Sequence, residues 1–169
     1  MTEKRKVCLR EVTQKDVAKL YEWWTNGKVM EPVGFPNGLS ITLTDVCQAI
    51  KRYEDTKDSA FLIILSDSGV EIGEFAYSKL SKDTYTFDIK IGNYSYQGQG
   101  YGKQALLEGI NLIKLQKNAK RIEIHVAPEN LRALALYESV GFKRIKRIEN
   151  NWKDQLGNPR STEVLELVI

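Results

Sequence analysis

The chain has 169 residues, enough for one domain to bury a core without disulfides or metals. Hydrophobic residues at 42% and charged residues at 28% are ordinary for a folded protein, and 12 Gly with 4 Pro exclude collagenous, low-complexity and disordered classes. Lys and Arg (25) exceed Asp and Glu (22) by only +3, too little for a dedicated duplex-DNA binder, while anionic ligands stay open.

Cys8 and Cys47 stand far apart and His125 is the only histidine, which argues against a metal site or a disulfide framework and for a reducing compartment. Residues 1–6 are charged and lack the apolar stretch of a signal peptide. No run approaches the roughly 20 apolar residues of a membrane span, so a cytoplasmic location is expected.

Residues 7–12 alternate as a short strand, and Thr13 with Asp16 forms a capping-box pattern for a helix over 14–25. Val17, Leu20, Tyr21 and Trp24 give its buried face, and Asn26-Gly27 its exit. Residues 27–41 read as an irregular segment that nonetheless carries Met30, Val33, Phe35 and Leu39. Thr44 is expected to cap a second helix whose stripe is Val46, Ala49, Ile50 and Tyr53.

Three strands follow, over 61–65, 70–80 and 84–92, joined by turn residues into an antiparallel meander. Then the period changes. Gly102, Ala105, Leu106, Gly109, Ile110 and Ile113 recur at helical spacing, and 121–126 alternates as a strand. A short helix over 130–139 ends at Gly141, and strands over 142–150 and 161–169 flank a turn at 154–159. No repeat or linker interrupts the chain, so one domain over 1–169 is expected.

The informative stretch is Gln97-Gly98-Gln99-Gly100-Tyr101-Gly102-Lys103, where a strand gives way to a helix. Free N–H groups and the dipole at a helix start attract phosphate oxygens, and glycines admit a ligand close to the backbone. A Walker A loop fails twice, at Gln97 and Gln104. A dinucleotide fingerprint fails because Lys103 stands where its third glycine belongs, and because the preceding strand closes a meander. The spacing that fits is Gln-x-x-Gly-x-Gly at Gln97, Gly100 and Gly102, which resembles the acetyl-CoA pyrophosphate loop of the GNAT N-acetyltransferase superfamily.

About thirty residues on, Asn130 followed by Leu136-Tyr137-Glu138 and Gly141-Phe142 resembles the second hallmark of that superfamily. The element order is also similar to the family's over essentially the full length. Trp24-Thr25-Asn26-Gly27-Lys28-Val29-Met30 resembles a segment of the branch containing ribosomal-protein N-terminal and polyamine acetyltransferases, with Gly27 where Asp is usual.

The resemblance implies an α+β (mixed α/β) fold with a central, mostly antiparallel twisted sheet, splayed strands 4 and 5, and flanking helices. It implies acetyl-CoA as co-substrate and direct transfer to a primary amine of a small molecule or a peptide N-terminus. Cofactor contacts fall on Lys90, Ile91 and Gly92 (backbone to the pantetheine arm), on Gln97, Gly98, Gln99, Gly100, Tyr101, Gly102 and Lys103 (the loop), and on Asn130. Tyr137 matches the general acid, its phenol being protonated at neutral pH; the alternative for it is a core position.

No Ser-His-Asp or Cys-His arrangement competes, and His125 between Ile124 and Val126 reads as structural. The general base stays open among Glu31, Glu74 and Asp88. By elimination, residues 27–41 with Trp24, Glu31 and Phe35 form the acceptor side. The basic run 143–148 reads as a solvated edge strand, so neither nucleic acid nor membrane is an expected partner; a homodimer is an allowed assembly. The other class of function is a non-catalytic acyl-CoA sensor, which would have no use for a proton donor at Tyr137.

Overall fold

The computed structural model describes residues 4–169. β1 (Cys8–Glu11) leads into the expected capping box, in which the Thr13 hydroxyl accepts from Lys15 N–H and Asp16 accepts from Thr13 N–H at 2.8 Å. The first turn (Gln14–Asp16) is a 3-10 turn, and α1 continues over Val17–Trp24. Asp16 is buried, and a bidentate pair from Arg10 (2.8 and 2.9 Å) holds its carboxyl below the usual range.

Residues 27–41 contain more helix than expected. Asn26 caps a single helical turn, α2 (Gly27–Met30), and a 3-10 turn (Glu31–Val33) follows, closed by Gly34 at φ +100°. α3 (Leu43–Asp55) is capped by Thr42, not Thr44: the Thr42 hydroxyl accepts from Asp45 N–H and the Asp45 carboxylate accepts from Thr42 N–H. β2 (Ser59–Leu65), β3 (Glu71–Lys79) and β4 (Thr84–Lys90) form the meander, and α4 (Tyr101–Lys114), β5 (Arg121–Val126) and α5 (Leu131–Ser139) follow. The hairpin of β6 (Lys143–Lys153) and β7 (Pro159–Val168) completes one seven-stranded sheet of order β1-β2-β3-β4-β5-β7-β6. β6 is the edge, and its Lys143, Arg144, Lys146 and Arg147 are exposed, as the alternating basic run implied.

The alternation of each strand separates two apolar clusters. Phe75, Tyr85, Ile122, Ile124 and Leu165 pack with Leu106, Ile110 and Ile113 of α4 and Leu134 of α5. Phe61, Ile63 and Ala76 pack with Leu20 and Trp23 of α1 and Val46 and Ile50 of α3. Each fully buried Leu, Ile or Phe contributes on the order of 1.5–3 kcal/mol. Gly109 lets α4 approach the sheet, since a Cβ there would stand 2.3 Å from the Phe75 ring. Every strand pair is antiparallel except β4 and β5, which are parallel and registered only at Thr84↔Arg121 and Tyr85↔Ile122. Beyond Tyr85 they separate, and the edge of β4 facing β5 carries no ladder partner over residues 86–90. No helix among the described residues is long and apolar enough to cross a membrane.

Candidate active site

The gap between β4 and β5 opens into a cleft of about 580 Å³. Its walls come from β4 (Phe87, Asp88, Ile89, Lys90), the glycine-rich loop, β5 and the turn after it (Ile124, His125, Val126, Ala127), α5 (Arg132, Leu136, Tyr137) and, opposite, Val29, Pro32, Val33 and Trp152.

At one end the loop is pinned to the strand it leaves: the Gln97 amide donates to Ile91 O at 2.9 Å. Gly98 (φ +71°) and Gly100 (φ +90°) take left-handed conformations that Cβ-bearing residues disfavour, and Gly100 is the N-cap of α4. Tyr101, Gly102 and Lys103 are the first residues of that helix, whose first-turn N–H groups have no intrahelical acceptor. Lys103 and Arg132 line this end, and the Arg132 guanidinium would lie 3.4 Å from a Cβ at Gly98. Donor N–H groups, a helix dipole, open glycines and two cations together fit a pyrophosphate.

Of the residues expected at the cofactor, Lys90, Ile91, Gln97, Gly98, Gly100, Gly102, Lys103 and Asn130 line the cleft. Asn130 also caps α5, accepting from Ala133 N–H at 3.2 Å. Three others lie outside the lining. Gly92 lies under the Trp23 ring, the Gln99 amide turns back to Ser95 O, and Tyr101 is buried with its hydroxyl donating to Asp67 at 3.0 Å.

Tyr137 reaches the cleft from α5, its ring set edge-on to Phe87 and Phe142 at 5.8 Å each. Burial, and then the negative charge of Asp88, push its phenol well above the ordinary tyrosine value, so it holds its proton at neutral pH. Asp88 is the only carboxylate among the lining residues, and among the described residues it makes no hydrogen bond or ion pair. Lys90, two residues on, shares its face of β4 and does have a partner: its ammonium is 3.4 Å from Glu74, whose other oxygen accepts from Trp24 Nε1 at 2.8 Å. Burial lifts the Glu74 carboxyl above its usual range against the pull of Lys90 and Trp24. Burial also works to lower Lys90, but Glu74 and Asp88 outweigh it and keep the ammonium charged.

The far wall is built by a contact between distant segments. Gln155, in the β6–β7 turn, donates from its backbone to Gly34 O (2.9 Å) and from its amide to Gly38 O (2.8 Å), and its side-chain oxygen accepts from Asn37 N–H (2.8 Å). Gly34 makes room for Trp152, whose ring a Cβ there would meet at 2.6 Å. The turn itself is organised by buried Asp154. Burial works to raise its carboxyl, but donors from Asn158, Arg160 and Leu156 outweigh it and lower the pKa. Of the residues expected on the acceptor side, Glu31 and Phe35 are exposed on this segment outside the cleft lining; Trp24 stands behind it, stacked on Phe61.

Residues 6–143 match the family model of the acetyltransferase (GNAT) domain. The chain belongs to this family. As a GNAT domain it is an N-acetyltransferase with acetyl-CoA as co-substrate. An aminoglycoside N(6')-acetyltransferase type 1 of Klebsiella pneumoniae is 28% identical over 151 residues, covering 82% of this chain and 74% of that protein. An uncharacterized protein of Methanocaldococcus jannaschii is 24% identical over 160 residues, and the match spans 89% of this chain but only 31% of that protein. In structure, the spermidine N-acetyltransferase of Vibrio cholerae, solved with CoA and spermine, superimposes with a TM-score of 0.85 at 17% identity, over 96% of this chain and 95% of that one; this likeness is one of fold.

Several lining residues of this GNAT domain escape a reading of the sequence. Asp88 is visible there as one candidate base among three, but not as the one that faces the cleft without a partner. Arg132 and Trp152 carry no periodic or spacing signal. His125 is exposed and borders the cleft with its ring nitrogen 3.0 Å from Glu123, rather than packing in the core. Strand alternation did contain that signal, since Ile122, Ile124 and Val126 fill the buried face.

Proposed function

We propose that this chain transfers the acetyl group of acetyl-CoA directly to a primary amine, with Asp88 taking the amine proton and Tyr137 supplying a proton to the departing thiolate. The observation that carries this reading is that the Asp88 carboxylate, without a partner among the described residues, and Tyr137 border one cleft, at whose end a glycine-rich loop opens the first turn of α4.

When bound, acetyl-CoA supplies a thioester whose carbonyl carbon accepts the amine nitrogen: the C–N bond forms, the C–S bond breaks, and an N-acetyl amide and free CoA result. The chain's residues do the rest. First-turn N–H groups of residues 101–103, with Lys103 and Arg132, hold the pyrophosphate. The unpaired edge of β4 offers backbone donors and acceptors to the extended arm.

Attack makes the amine nitrogen cationic and its N–H acidic, and Asp88 then accepts that proton at its carboxylate. Burial is the larger cause that keeps the Tyr137 phenol high, and taking up the proton cancels the second, the Asp88 charge, so the same event makes Tyr137 Oη a somewhat better donor when the thiolate needs a proton. Only the neutral amine attacks, so turnover rises with pH toward the acceptor's pKa near ~10. Initial velocities over a grid of acetyl-CoA and amine concentrations test direct attack. Intersecting reciprocal plots are expected; parallel lines would indicate an acetylated enzyme and overturn the reading.

A further inference from the structure

We infer that the acceptor carries a single positive charge joined to an apolar body, and that polyamines and aminoglycosides are poor substrates. This rests on the reading of direct acetyl transfer and narrows its substrate class. Among the described residues that line the cleft, Asp88 is the one carboxylate that can take an ammonium.

The polar side chains of the wall opposite β4 already have partners. The Trp152 indole N–H donates to Ser161 O at 3.1 Å, so this residue presents its ring, and the Thr162 hydroxyl donates to Asn151 at 3.0 Å. Glu74 is buried behind Lys90, and Lys90, not Glu74, is among the residues that line the cleft. A second ammonium close to the first would therefore meet a like charge, and one placed further along would meet Val33 and Trp152. Desolvating a cation against the aliphatic Pro32 and Val33 costs binding, whereas an apolar group there gains it. Gln155 fixes that wall through hydrogen bonds to residues 34–38, so it is formed before the acceptor arrives.

The test measures kcat/KM at saturating acetyl-CoA for phenethylamine, a short peptide with an N-terminal Leu, spermidine and kanamycin, with wild type and Val33→Glu. Val33 is exposed, so the variant should fold, which an unchanged melting shift with acetyl-CoA checks. Wild type should prefer phenethylamine or the peptide over spermidine and kanamycin by roughly tenfold or more, the scale of a hydrophobic-pocket discrimination. Which of the first two is faster tells a small amine from a chain terminus. Val33→Glu, by adding a second carboxylate, should shrink the gap to spermidine. Equal or faster turnover of spermidine or kanamycin by wild type, or an unchanged ratio in Val33→Glu, would overturn the inference while leaving acetyl transfer intact. No turnover of any amine, with acetyl-CoA still raising Tm, would refute the transfer reading and this inference with it.

Discussion

Replacing Trp24 by Phe isolates one hydrogen bond to a buried charge. Trp24 Nε1 donates to Glu74 at 2.8 Å, and Glu74 is almost wholly buried, with Lys90 at 3.4 Å as its other partner. The six-membered ring of Phe preserves most of the stacking on Phe61, so the main loss is the N–H. A hydrogen bond to a charged group contributes about 1.5–3 kcal/mol, and a domain of this size loses about 2–4 °C of Tm per kcal/mol; a fall of roughly 3–12 °C is expected.

The pH dependence separates this cause from lost packing. Burial already holds the Glu74 carboxyl above its ordinary value, with the Trp24 N–H among the groups opposing the rise. The folded state therefore binds more protons than the unfolded one between the two pKa values, and stability falls as pH climbs through that window. Without the N–H the folded value moves higher and the window widens. The Tm gap between wild type and Trp24→Phe should therefore be small near pH 4–5, about the unfolded carboxylate value, and grow toward pH 8. Thermal melts across that range, repeated in a Glu74→Gln background where the gap should lose its pH dependence, provide the assay. A gap that is constant with pH, or that persists unchanged without the carboxylate, would refute the reasoning.

Three further outcomes follow from the cleft. Asp88→Asn should lower kcat by roughly 10²-fold with acetyl-CoA affinity unchanged, and, by removing a negative charge that raises the Tyr137 phenol, should move any alkaline loss of activity to lower pH. Acetyl-CoA at one hundred times its Kd should stabilise the wild type by about 2.7 kcal/mol, and Gly100→Asp, which sets a negative side chain at the N-cap of α4, should abolish that response in a melting assay. Gln155→Ala removes the side-chain hydrogen bonds to Gly38 and Asn37 and should raise the amine KM by roughly tenfold while leaving the acetyl-CoA KM near wild type; an unchanged amine KM would separate the β6–β7 turn from acceptor binding.

What could be read in the sequence is what local physics encodes. The Thr13–Asp16 spacing signals its capping box directly. Thr42 with Asp45 signals the next equally well, although Thr44 is the more conspicuous residue beside the apolar stripe. Strand alternation separates the faces of β4 and β5, and the glycine spacing marks the start of α4. The resemblance to a known family, not periodicity, anticipates the splay between β4 and β5, because pairing between those strands joins residues far apart in the chain. The acceptor wall is the least legible part. Gln155 reaches residues 117 and 118 positions away, and nothing in the local pattern of either segment announces the contact. Trp24 shows the converse case: a large aromatic beside an apolar loop suggests a pocket wall, and its N–H serves a buried carboxylate that no spacing rule pairs with it.

Tyr137→Phe tests the account at its centre. The ring keeps its edge-on contacts with Phe87 and Phe142, and the hydroxyl alone is lost. With saturating acetyl-CoA and an amine that the wild type turns over, kcat should fall by roughly 10²–10⁴, the contribution of a positioned acid, while the acetyl-CoA Kd and the Tm stay near wild type. An unchanged kcat would contradict the assignment of Tyr137 as the proton donor to the thiolate.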